Sequence, residues 1–161
     1  MIDEARFWSL IEQAWPTTEQ ATTHREMAFS GELEDSDELY AVQKQLLDQL
    51  IVALEQLTAE DLLSFDRILE HKLYDIDRAD IHEYTDGSDD GFLYCRGFIV
   101  SMGRDYYETV QVDPSRAIMD VEFEELCYLS NRLYRQKYGS MPASGISRET
   151  GSNVEQWAGQ A

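Results

Sequence analysis

The stretch SDDGFLYCRGFIVSMG, residues 88–103, decides how the rest of the chain is to be arranged. Ser88 is a helix cap, because its hydroxyl can accept from a backbone N–H of the first turn. Asp89 and Asp90 then fall where the helix dipole favours carboxylates. From Phe92 to Met102 the residues are apolar nearly all round, and a helix with no polar face belongs in the interior. Gly103 stands at the C′ position, ready to end it. A buried central helix of this kind needs amphipathic helices on every side.

Those helices are legible upstream. Ser36, with Asp37 and Glu38 in the first turn, opens a stripe of Leu39, Val42, Leu46, Leu50, Leu54 and Leu57 at spacings of three and four. Thr58 caps the next helix, with Asp61 in a near-match to a capping box, and Leu62, Phe65, Leu69, Leu73 and Ile76 continue the period. With only a tight break between them, these two are expected to pair as an antiparallel hairpin. Asp3 caps a first helix with Phe7, Leu10, Ile11 and Ala14 on one face, flanked by Trp8 and Trp15 and ended by Pro16. Residues 17–29 carry a weaker helical signal, and Gly31 with the acidic run 32–38 forms a connector.

Downstream the pattern shortens. A short helix runs through Tyr106 and Tyr107, and Asp113-Pro114 is a cap followed by an N1 proline. Leu126, Leu129, Leu133 and Tyr134 mark a last helix ending at Gly139. Residues 140–161 are Gly/Ser-rich without a period, so they are expected to be a flexible tail. The expected fold is therefore all-α: a compact multi-helix domain over 1–139 with a buried central helix, followed by a flexible tail over 140–161.

Composition narrows the function classes. The 161 residues include 43% hydrophobic and 11% aromatic side chains, enough to bury roughly two-thirds of the unfolded surface. Against 13 basic residues stand 32 acidic ones, a formal net charge of -19. Such a field repels nucleic-acid phosphates and anionic membranes and attracts basic proteins. A start without a basic n-region or apolar h-region does not read as a secretory signal, and no stretch is apolar enough to span a bilayer. Cys95 and Cys127, both in apolar helical runs, read as free thiols in a reducing cytosol. The expected location is cytoplasmic.

The run from Ser88 to Glu108, SDDGFLYCRGFIVSMGRDYYE, resembles the hallmark of the bacterial family known as domain of unknown function 4240. Phe7-Trp8 with Leu10-Ile11 is similar to that family's opening FWxLI, and Phe65, Asp113-Pro114 and the Glu-rich start of the last helix match further features. The resemblance covers most of residues 1–139. Cys95 departs from it, standing where the family often has an aromatic residue. The resemblance implies a helical fold and an intracellular bacterial setting, and it implies no chemistry.

The chemistry-bearing residues admit two readings. Asp89 and Asp90 are able to bind a cation or to act as paired carboxylates. Alternatively Ser88, Asp89 and Asp90 serve the helix terminus, and Gly91 permits close packing. Arg96, two turns into the apolar helix, demands compensation for its charge, and Asp75, Asp77, Asp89 or Asp90 is the expected partner. Together Ser88, Asp89, Asp90, Phe92 and Arg96 form the candidate motif, and Asp86, Tyr106 and Tyr107 the candidate interface. Any single one of Tyr106, Tyr107, Tyr128, Tyr134 and Tyr138 is nonetheless expected sooner at the edge of the core than at an interface.

Calcium-loop spacing counted from Asp75 fails, with Ala79 at position five, Asp80 at six and Asp86 at twelve. His71, four residues from Asp75, reads as a surface helix pair, and His82 completes no zinc set. Neither a metal nor a cofactor is expected. Two functional expectations follow. The first is a small acidic protein that binds a basic protein partner, in the manner of an immunity protein, an antitoxin or a mimic of nucleic-acid charge. The second is an enzyme or metal-dependent hydrolase using the carboxylates of 86–90.

Overall fold

The structure, a computed structural model, describes residues 1–85 and 87–159. Its elements are α1 (Glu4–Ala14), α2 (Glu19–Ser30), α3 (Asp37–Glu55), α4 (Ala59–Asp75), α5 (Ala79–His82), α6 (Asp89–Ser101), α7 (Arg104–Val112), a 3-10 turn (Pro114–Arg116), α8 (Glu124–Tyr138) and α9 (Val154–Trp157). No strand occurs among the described residues, so the fold is all-α.

Side-chain caps set most of the helix starts. Asp3, Ser36, Thr58 and Ser88 each accept from a first-turn amide, at 2.8, 3.1, 3.1 and 2.9 Å. Thr18 does the same for α2 at 3.2 Å, a cap that three neighbouring threonines hide in the sequence. Gly103 follows the end of α6 with φ +96°, the left-handed region a side chain would resist.

The central helix is α6. Ten of its thirteen residues are buried, and it packs against α4, α7 and α8. Its closest approach is to α8, at Gly97. A Cβ there would lie 2.6 Å from both Cys127 Sγ and the Phe123 carbonyl oxygen. Helix α8 in turn packs on α3, α4 and α6.

The expected α3–α4 hairpin does not form. The two helices are consecutive, yet they barely meet along their lengths, because α1 and α8 each pack against both. The stripes that suggested a pair are both real, with Leu39, Val42, Leu46, Leu50 and Leu54 buried on one helix and Leu62, Phe65, Leu69 and Leu73 on the other. They face a shared core, and periodicity alone does not say which helix lies opposite.

A second correction concerns the end of the chain. The stretch after Gly139 is irregular apart from α9, as expected, but it is not a free tail. It runs back over α4, α8 and the start of α6. The Arg67 guanidinium donates to the Pro142 carbonyl, and Asn131 Nδ2 contacts Met141 Sδ at 3.3 Å. Further along, Thr150 Oγ1 donates to the Asp89 carbonyl at 2.6 Å. A Gly/Ser-rich composition conceals such docking because polar bonds hold it, and these leave no apolar period.

Candidate functional site

The expected motif sits where α6 begins. Ser88 caps the helix, and Asp89 and Asp90 are exposed in its first turn. Phe92 and Arg96 point inward and are fully buried. The Arg96 guanidinium lies 4.8 Å from the Phe92 ring centroid, a cation–π stack.

Among the described residues no carboxylate pairs with Arg96, contrary to expectation. Its Nη1 donates to the Leu73 carbonyl at 2.8 Å, and its Nη2 donates to the Arg148 carbonyl at 2.9 Å and to Thr150 Oγ1 at 3.2 Å. The reason lies in α4. The last carbonyls of a helix have no partner within it and carry the negative end of its dipole. In α4 they are met in sequence by the Tyr107 hydroxyl on Lys72 (2.8 Å), Arg96 on Leu73, and Asn153 Nδ2 on Tyr74 (3.0 Å). A helix terminus thus does the work expected of an aspartate. Burial pulls the guanidinium below the ordinary arginine range, and the field of Asp77 opposes that pull. Its Nε makes no hydrogen bond.

Asp77, fully buried, binds the tail instead. Its Oδ1 accepts from the Gly151 amide at 3.0 Å and from Trp157 Nε1 at 2.9 Å, and its Oδ2 from the Asn153 amide at 3.0 Å. Trp157 also packs against His82 and Phe92. A second buried acid, Asp66 on α4, receives Ser130 Oγ at 2.7 Å and Arg148 Nη2 at 2.6 Å. Glu70 lies one turn on, 3.7 Å from Arg148 Nε and 3.5 Å from Arg67 Nη1, and its Oε2 makes no hydrogen bond. Arg148 also donates to the Cys127 carbonyl. The acidic run 75–90 suggested where to look for buried charge. Asp66, Glu70 and Arg148 were missed, although an acid at position 66, between Leu62 and Leu69 on the stripe, is the signal that marks one.

Tyr106 and Tyr107, placed in the candidate interface, belong to the core. Each is 1% exposed, and their hydroxyls donate to the Arg116 and Lys72 carbonyls. Burial raises both phenols above their ordinary range. They have no ring surface to offer a partner. Asp86 lies outside the described residues. The aromatic surface near the motif is made by other tyrosines. Tyr94 is one turn after Asp90 on α6, and Tyr128, 42% exposed, is one turn after Glu124 on α8. Backbone joins the two helices here, with the Phe123 amide donating to the Tyr94 carbonyl at 2.9 Å. Partial burial, then the neighbouring carboxylates of Glu124 and Asp90, push the Tyr94 phenol up to about 12. Tyr128 is raised as well, by burial first and by Glu149, Glu124 and Asp90 among its charged neighbours.

Among the described residues, no group of three or more His, Cys, Asp or Glu converges as metal ligands. His71 is exposed, and His82 packs edge-on to Phe92. Burial holds the Cys127 thiol at about 12, far above what a nucleophile requires. No described helix is long and apolar enough to cross a membrane.

The family described as "Protein of unknown function (DUF4240)" matches residues 2–136. The chain belongs to this family. The DUF4240 span takes in all the helices from α1 to α7 and most of α8, and the tail that docks on Asp66, Asp77 and Arg96 lies beyond it. No curated protein and no solved structure gave a significant match.

Proposed function

We propose that this chain is a small acidic binding protein that takes up a basic protein partner, in a role such as that of an immunity protein or antitoxin in the bacterial cytoplasm. The observation that carries this reading is how its charges are distributed. Arg25, Lys44, Arg67, Lys72, Arg78, Arg104 and Arg148 are held in ion pairs with the chain's own carboxylates, and Arg96 is buried. Asp90 and Glu124 are exposed, make no ion pair among the described residues and lie beside Tyr94 and Tyr128, with Arg132 and Arg135 on the far side of Tyr128. Carboxylates beside partly open phenol rings suit lysine and arginine side chains, which gain from both charge and ring face. Long-range attraction speeds such an encounter, and the same field repels nucleic-acid phosphates.

The test uses the products of the genes beside this one, each purified and titrated onto the wild-type chain and onto an Asp90→Lys/Glu124→Lys variant. One basic product is expected to bind the wild type, more weakly as salt rises, and to lose most of its affinity for the variant. A partner held equally by both chains, or one insensitive to salt, would overturn the reading. The alternative of a hydrolase using the carboxylates of 86–90 has no geometric observation in its favour.

A further inference from the structure

The tail relates to the domain beneath it as a bound peptide relates to its receptor. None of the residues 140–159 is buried; each is exposed or half-buried. The groups they touch are different. Asp66, Asp77 and Arg96 are fully buried and Glu70 nearly so, and all four lie on or beside α4 and α6 within the DUF4240 span. Polar contacts hold the strap: Arg148 on Asp66 and Glu70, the amides of Gly151 and Asn153 on Asp77, and Thr150 between Arg96 and Asp89. Its largest apolar anchor, Trp157, is itself half-buried.

Two observations indicate that this surface is shaped for an occupant it does not fully satisfy here. Arg96 Nε is buried beside the strap without a hydrogen bond, and Glu70 Oε2, also without one, has only the Arg67 guanidinium at 3.5 Å. Native interiors rarely leave such atoms short of a hydrogen bond. The chain of 139–147 leading into the strap is exposed at most positions and holds no helix, so little beyond Arg67 on Pro142 and Asn131 on Met141 fixes it to the domain. A segment with few buried contacts opens at less than the global cost.

We propose that the surface under residues 146–157 is a docking groove for an extended, arginine-bearing peptide segment, that the chain's own tail is its resident occupant, and that a segment of the basic partner replaces it. Arginine is specified because a planar fork fits Asp66 and Glu70 together, and a lysine reaches only one acceptor well. The occupant must also bring two free amides, two residues apart, to the two oxygens of Asp77, as Gly151 and Asn153 do. This rests on the reading of the chain as a binder of a basic partner, and it adds the second surface and the chemistry that surface selects.

The experiment uses the full chain and a labelled synthetic peptide with the sequence of residues 144–159. Titration by fluorescence anisotropy should show weak binding to wild type, whose groove is filled in cis. Binding to Arg148→Ala should be about tenfold tighter, because the intramolecular competitor has lost its grip. A peptide carrying Arg148→Ala, or a chain carrying Asp66→Asn, should bind poorly. Hydrogen exchange on wild type gives a readout that needs no variant to fold: the Gly151 and Asn153 amides should exchange well before those of α6. Absence of peptide binding to a folded Arg148→Ala chain, or exchange of the strap only with global unfolding, overturns the groove. A basic partner that binds the Tyr94–Tyr128 face without displacing the peptide also overturns the groove and leaves the proposed function standing. Peptide binding with no basic partner found does the reverse.

Discussion

At Gly97 one hydrogen in place of a methyl decides how closely α6 and α8 approach. A Cβ would meet a carbonyl oxygen and a sulfur at 2.6 Å, and the carbonyl belongs to backbone that cannot swing aside. Gly97→Ala should therefore destabilise by about 1–3 kcal/mol, the usual cost of overpacking, although alanine is the better helix former. Chemical denaturation measures it, and an unchanged or raised midpoint would refute the close fit. Arg96 offers a second residue-scale test. Arg96→Ala leaves the Leu73 and Arg148 carbonyls short of a donor and opens space beneath Phe92, at a cost of about 3 kcal/mol. Arg96→Lys should recover only part, since one ammonium cannot span acceptors on α4 and on the tail. Cys127 gives a third. With its thiol held at about 12 by burial, it is protonated at neutral pH, and both cysteines are buried. Iodoacetamide should label neither cysteine until denaturant is added, and mass spectrometry of the intact chain reads the result.

Among the elements, α6 carries the largest share of the core. Phe92→Ala or Phe98→Ala should each cost about 3–5 kcal/mol, and α6 amides should be among the slowest to exchange. This much was legible in the residues between Ser88 and Gly103, because a helix apolar on all sides has only one place to go. Caps at Asp3, Ser36, Thr58 and Ser88 were legible for the same kind of reason, each being a local bond between neighbours. What the sequence hid is non-local. The period of α3 and α4 says that each has a buried face but not that α1 and α8 would lie between them. Tyr106 and Tyr107 carry hydroxyls that look made for a surface, and only the positions of Arg116 and Lys72 show that those hydroxyls are satisfied inside. Arg96 was legible as a buried charge, while its acceptors, a helix end and a segment more than fifty residues away, were not.

For the whole molecule, charge and packing oppose each other. Moderate salt should raise the melting temperature, because it screens the mutual repulsion of a chain with net charge -19. Acid removes one source of stability. Glu4, Glu12 and Asp80 are held below their ordinary values of 4.5, 4.5 and 3.8, chiefly by hydrogen bonds from Lys72, Arg25 and Arg78. Depressed carboxylates contribute stability that is present above those ordinary values and lost as pH falls through the lowered ones. A melting temperature that holds from neutral pH down to about pH 4.5 and drops by about pH 3 is expected, and a steady fall from neutral pH would contradict it. The strap also sets an order of events. Asp66 and Arg148 are separated by 82 positions, and Asp77 and Trp157 by 80. Closing loops of that length brings no gain until α4, α6 and α8 already stand together, since the strap buries little of its own. Translation also delivers residues 148–157 after every helix they touch. A nascent chain therefore passes through a stage in which the helical core is built while Arg96, Asp66 and Asp77 still face water, and that half-finished intermediate offers its acidic groove to whatever basic protein is made beside it.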